Sequence, residues 1–121
     1  MQYAFLIYCD ETGEPGPGTK EAGDYLRAYL VFTGEVKAKG IHVESAALQP
    51  VATATTVRVR DGKPLTTDGP FAETKEQLAG LYLLECEDLD EALDYAAKIP
   101  TVKHGSVEIR PVLQLENDIA P

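Results

Sequence analysis

The order of strand-like and helix-like segments predicts an α+β fold, a ferredoxin-like βαββαβ sandwich with an extra hairpin in its middle. Two long apolar runs, residues 3–9 and residues 78–86, have the composition of central strands that are covered on both faces. A segment with helical spacing follows each run, and an alternating segment follows each helix. The length suits one domain, which we expect to span residues 1–121.

A breaker-rich loop separates the first strand from the first helix. Residues 10–19 hold three glycines and two prolines, so we expect a mobile loop there. Thr19 is suited to cap a helix that begins at Lys20 and stops at Gly40. The positions that recur at helical spacing are Ala22, Tyr25, Leu26, Tyr29, Leu30, Thr33 and Val36. Residues 41–48 alternate and predict the next strand.

Two alternating segments, residues 55–60 and residues 63–67, flank an Asp61-Gly62 pair. An Asp-Gly pair between such segments is a strong signal for a tight turn. The sequence therefore predicts a β-hairpin, which is the extra element of the sandwich.

The segment of residues 67–77 is built around an Asp-Gly-Pro-Phe turn, and we call it the Asp68 loop. Gly69 and Pro70 favour a fixed backbone, and Phe71 is expected to anchor the loop in a core. Residues 74–77 match a capping box, which predicts a brief helical turn before the second central strand.

The second helix is predicted to begin after Asp88, a suitable N-cap, and to end near Pro100. Its apolar stripe consists of Leu89, Ala92, Leu93, Ala96 and Ile99. Residues 106–110 alternate and precede Pro111, which indicates an edge strand. The tail, residues 116–121, is expected to fray.

In this architecture both helices cover one face of the sheet, while the central runs are apolar on both faces. A bare apolar face of that size indicates a partner. We expect a homodimer that packs sheet against sheet and encloses a cleft between the paired sheets.

Composition excludes several classes of protein. The formal net charge of −9 disfavours nucleic acid and anionic membrane surfaces. Cys9 and Cys86 lack partners at metal or redox spacing and are expected to be buried thiols in a reducing compartment, with a disulfide between them as the alternative. The N-terminus has no signal-peptide features, so we expect a cytoplasmic protein. No motif indicates a metal or another cofactor.

His104 and Asp68 are the candidate catalytic residues. His104 precedes Gly105 at the start of the last strand, where an imidazole oriented by Asp68 could act as general acid or base. The alternatives are a solvated or backbone-bonded histidine, and an aspartate that accepts bonds from its own turn or pairs with an arginine.

The candidate ligand-binding residues lie on the Asp68 loop and the neighbouring strands. On the loop, ionisable groups follow one another closely, which favours mutual pKa perturbation. Arg58 could bind a carboxylate or phosphate, or pair with the protein's own acids, and Tyr82 could face the cleft or belong to the core. The full set is Phe71, Glu73, Lys75, Glu76, Arg58 and Tyr82.

The chain resembles the YCII-related family, and in particular the branch named for its Asp-Gly-Pro-Phe signature. The matching stretches are residues 55–62, 67–77, 88–92 and 104–112. The resemblance implies a dimeric α/β barrel and proton-transfer chemistry on small organic molecules by a His and an Asp at a cleft. The wider family's histidine lies in the first helix, whereas residues 20–37 contain none. Members of the branch are also associated with extracytoplasmic-function sigma factors.

Two functions follow as hypotheses. In the first, the cleft between the paired sheets binds a small organic molecule, with His104 and Asp68 transferring a proton. In the second, the protein is a non-catalytic accessory or regulatory partner of a sigma-factor system, and the Asp68 loop is its binding surface.

Overall fold

The computed structural model describes residues 1–115 and contains a four-stranded sheet, a separate two-stranded sheet and two α-helices. The strands are β1 (Gln2–Cys9), β2 (His42–Ala47), β3 (Thr55–Arg60), β4 (Lys63–Asp68), β5 (Gln77–Glu85) and β6 (Ser106–Pro111), and the helices are α1 (Lys20–Ala38) and α2 (Leu89–Ala96). The larger sheet has the order β2-β5-β1-β6, and every neighbouring pair is antiparallel. The two apolar runs therefore take the central positions, as predicted, and β6 is an edge strand. The predicted fraying tail lies outside the described residues.

The core lies between the sheet and the two helices. Along β1, side chains alternate between buried and half-buried, because successive residues of a strand point to opposite faces. The buried members pack against residues from both helices: Phe32 and Val36 of α1, and Ala92 and Ala96 of α2. Both helices therefore cover the same face, as predicted. Complete burial of a side chain such as Phe5 or Leu84 contributes roughly 1.5–3 kcal/mol.

Both helices begin at the predicted caps. Thr19 Oγ1 accepts a hydrogen bond from the Ala22 N–H at 3.1 Å, and Asp88 Oδ1 accepts one from the Glu91 N–H at 2.9 Å. The apolar stripe of α1 is buried only in part, since Leu26 and Leu30 are 61% and 62% exposed. Among residues 1–115, neither helix combines the length and the hydropathy that crossing a membrane would require.

The predicted hairpin forms a sheet of its own. Strands β3 and β4 pair from Thr55 with Asp68 to Arg60 with Lys63. Asp61 and Gly62 both adopt positive φ, 53° and 75°, as a tight two-residue hairpin turn requires.

Two predictions for the Asp68 loop are wrong. Phe71 is 75% exposed and anchors nothing in the core of this chain. Residues 74–77 form no helical turn, because side chains close the segment instead. The Thr74 hydroxyl donates to the Glu76 carbonyl at 2.6 Å, and Gln77 Nε2 donates to the Thr74 carbonyl at 2.6 Å. Such side-chain bonds to the backbone compete with helix formation.

Candidate functional site

A cavity of about 540 Å³ lies between the N-terminal half of α1 and the face of the sheet that the helices cover. We call it the helix–sheet cavity. Its walls are mostly apolar and include Ile7, Ala22, Leu26, Ala47 and Leu48. This volume is within the range of small-molecule sites, about 300–1,000 Å³. The cavity lies within one chain rather than between two paired sheets.

The loop of residues 10–19 supplies two carboxylates, Glu11 and Glu14, to the cavity lining. Glu11 forms hydrogen bonds with two segments that are distant from this loop in sequence. Its Oε2 accepts from the Val51 N–H at 3.0 Å, and its own N–H donates to Gln77 Oε1 at 3.0 Å. Asp10 accepts from the Thr12 hydroxyl and N–H, and these bonds lower the pKa of Asp10. The loop is therefore fixed to the body of the protein by side-chain hydrogen bonds.

Glu14 forms a pair with His104. Their Oε1 and Nε2 atoms are 3.2 Å apart, and the two side chains are 23% and 45% exposed. The carboxylate lies at the cavity, whereas the more exposed imidazole follows the 3₁₀ turn Pro100–Lys103 and contacts the Tyr25 ring with centroids 5.7 Å apart. The pair thus links a carboxylate of the cavity lining to a more exposed imidazole.

Cys9 lies beside this pair, and its surroundings favour the protonated thiol. Burial raises the pKa of its thiol from 9.0 to about 12, and a hydrogen bond to Glu14 contributes to the rise. Because the thiolate is the reactive form, Cys9 is inert at neutral pH. Cys86 is also a free, buried thiol, so the alternative of a disulfide between the two is not found.

Three hydroxyl groups converge on another part of the wall. Tyr25 Oη and Tyr29 Oη both hydrogen-bond Thr101 Oγ1, the latter at 2.5 Å. Thr101 is only 1% exposed, so these phenols satisfy a buried polar group. Burial raises the pKa of both tyrosines, which keeps their hydroxyls protonated.

The structure does not bring the predicted catalytic pair together. His104 has Glu14 as its carboxylate partner, and Asp68 is exposed at the end of β4 with no side-chain hydrogen bond within residues 1–115. Within residues 1–115 of one chain, His104 is paired with Glu14 rather than with Asp68. A catalytic role for either residue stays a prediction.

Among the predicted ligand-binding residues, Tyr82 alone lines the helix–sheet cavity. Its hydroxyl bonds Thr33 Oγ1 at 2.6 Å, and the residue belongs to the core. Glu76 is half-buried and accepts a hydrogen bond from Ser106 Oγ at 2.8 Å. The remaining four are exposed and do not line the cavity: Phe71, Glu73, Lys75 and Arg58.

Sequence reasoning missed most of the polar residues at the cavity. Tyr25 and Tyr29 carried a usable signal, since residues four apart share one face of a helix. Glu11 and Glu14 carried none, because acids in a loop rich in glycine and proline are ordinarily solvated. Thr101 had no distinguishing pattern either.

Comparison with known proteins identifies the family of the chain. A family model described as "YCII-related domain" matches residues 1–116. An uncharacterised protein of Rhizobium meliloti (strain 1021) is 39% identical over 114 residues, which cover 93% of this chain and 92% of that relative.

Proposed function

The chain belongs to the YCII-related family, and we propose that it binds a small, largely apolar organic molecule in the helix–sheet cavity. The observation that carries this proposal is the cavity itself: about 540 Å³, with apolar walls and few polar groups. Binding sites for small molecules have this composition, in which apolar area supplies affinity and a few polar groups fix orientation.

Glu14 and His104 are the groups that would exchange a proton with the bound molecule. The Glu14 carboxylate would take a proton from the ligand, leaving the ligand's conjugate base in the cavity, and pass it to His104 Nε2, 3.2 Å away. The imidazolium then releases a proton to solvent, toward which its side chain is 45% exposed. This assignment keeps the predicted histidine and replaces Asp68 by Glu14.

A thermal-shift screen of small organic molecules tests the binding proposal. A ligand at about 100 times its Kd should stabilise the protein by about 2.7 kcal/mol. Ala22→Phe, which places a ring in the cavity, should abolish that shift. Ala28→Phe, on the same helix but outside the cavity lining, should retain it. A shift that survives Ala22→Phe, or a broad library that yields no ligand, would count against the proposal.

We further propose that a second copy of the chain covers the bare face of the sheet. Leu6, Leu81 and Leu83 belong to the two central strands and are only half-buried in one chain. Covering such a patch supplies the hydrophobic area that a dimer requires. Light scattering should give about twice the 13.1 kDa chain mass, and Leu83→Asp should halve it. A monomeric wild type would refute this arrangement.

A second function, a regulatory partner of an extracytoplasmic-function sigma factor, is favoured by the exposure of the Asp68 loop and the hairpin. Phe71 is 75% exposed, and Val57, Val59 and Leu65 of the hairpin are each more than half exposed. An exposed aromatic beside aliphatic side chains is the kind of anchor that protein interfaces use.

A further inference from the structure

The charge of the helix–sheet cavity restricts the ligand it can hold. Among residues 1–115, the lining includes two carboxylates, Glu11 and Glu14, and no lysine, arginine or histidine. The other titratable side chains of the lining are neutral, since burial raises the pKa of Cys9, Tyr25, Tyr29 and Tyr82. An anionic ligand would therefore meet negative charge beside apolar walls, with no cation among the described lining residues to offset it.

Glu11 retains an acceptor for a ligand. Its Oε2 is bound by the Val51 N–H at 3.0 Å, whereas its Oε1 has no partner within residues 1–115. Because Oε2 and the backbone N–H of Glu11 are both hydrogen-bonded, this carboxylate is held in place before a ligand binds. Such preorganisation lowers the entropic cost of binding.

Two aromatic rings of the cavity lining add to this preference for a cation. Tyr25 and Tyr29 both line the cavity, and their rings pack edge to face with centroids 5.3 Å apart. The faces of tyrosine rings attract ammonium groups. The described residues contain no group of three or more His, Cys, Asp or Glu side chains that could hold a metal ion.

Building on the proposed function, we propose that the cavity selects a small organic ammonium ion with an apolar body. The ammonium group donates hydrogen bonds to Glu11 and Glu14 beside the two tyrosine rings. The apolar body lies along Ala22, Leu26 and Leu48. The net charge of −9 adds to this preference, since it attracts cations to the molecule and repels anions.

Three probes with one cyclohexyl body test the selection: cyclohexylmethylamine, cyclohexylmethanol and cyclohexanecarboxylate. Their affinities are measured on the full chain by calorimetry at pH 7 and low salt. The amine should bind about tenfold more tightly than the alcohol, which is the effect of one partly buried ion pair. The carboxylate should bind more weakly than the alcohol.

Charge-removing variants locate the effect. Glu11→Gln, which keeps an oxygen for the Val51 N–H, and Glu14→Gln should each lower the amine-to-alcohol affinity ratio about fivefold. The loss of affinity should be larger for the amine than for the alcohol in both variants. Glu21→Gln, an exposed acid of α1 outside the lining, is the control and should leave the ratio unchanged.

The outcomes separate this inference from the proposed function. Carboxylate binding as tight as amine binding, or a ratio that neither variant alters, would overturn the cation selection while leaving the cavity as a binding site. If all three probes fail to bind, both the binding function and the selection are refuted for this class of ligand.

Discussion

The loop of residues 10–19 and the Asp68 loop are both short, polar and rich in turn-forming residues, yet they differ in their contacts with the rest of the protein. The first bonds to distant segments through Glu11 and Glu14 and closes one end of the cavity. The second exposes Phe71 and Asp68 and, apart from its base and Glu76, bonds mainly to itself. Turn chemistry fixes the local backbone of a loop, but the elements that pack beside it decide whether its side chains reach a site.

The largest expected effect on stability is at Gly105, which follows His104, the residue that pairs with Glu14 of the first loop. A Cβ at this position would collide with the Tyr8 carbonyl oxygen and lie 2.9 Å from Thr101 Cγ2. Gly105→Ala should therefore lower the free energy of unfolding by about 3 kcal/mol, because the clash is relieved only if the backbone shifts. Urea denaturation measures the loss. Gly13→Ala, with nothing within 4 Å, should cost much less. Equal losses would show that the close approach is not real.

An intermediate effect is expected at the hydroxyl cluster. Tyr29→Phe removes one of the two phenols that satisfy the buried Thr101 hydroxyl and should cost about 1 kcal/mol at pH 7. Urea denaturation at neutral pH measures it. No loss would mean that the Tyr29 hydroxyl does not hold the cavity wall.

The pH dependence of the free energy of unfolding tests the burial of Tyr29. Burial raises the pKa of Tyr29 above its ordinary value of 10.0, so above pH 10 the unfolded chain loses a proton that the native chain keeps. The tyrosine's contribution is thus complete below pH 10, and stability falls as pH rises beyond it. The fall should be shallower in Tyr29→Phe, by at most about 1.4 kcal/mol per pH unit. Identical slopes in the two proteins would contradict the burial of this phenol.

The smallest effect is expected on the Asp68 loop. Phe71→Ser should change the free energy of unfolding by less than about 0.5 kcal/mol, since the ring is 75% exposed and supports no core. If the regulatory function holds, the same variant should weaken binding of a purified sigma factor from the same genome, measured by calorimetry. A large loss of stability in the isolated protein would mean that Phe71 is buried in solution, most simply by a second chain.

Much of the fold was predictable because its signals are local. The apolar runs of β1 and β5, the caps at Thr19 and Asp88 and the Asp61-Gly62 turn each depend on neighbouring residues in sequence. The Phe71 anchor failed for the opposite reason. Whether an aromatic on a loop is buried depends on what lies beside it, and nothing in the described chain does.

The sequence by itself determined the order of the elements, the two central strands and the family. Periodicity, turn chemistry and motif matches each depend on residues that are close together in sequence. The tertiary structure alone decided that Glu14 rather than Asp68 meets His104, because that pair joins positions 90 residues apart. It also decided that the described lining of the cavity carries two carboxylates and no cation, as a cavity's charge depends on which distant side chains the fold brings together. Local interactions select the elements, whereas packing between them builds the site.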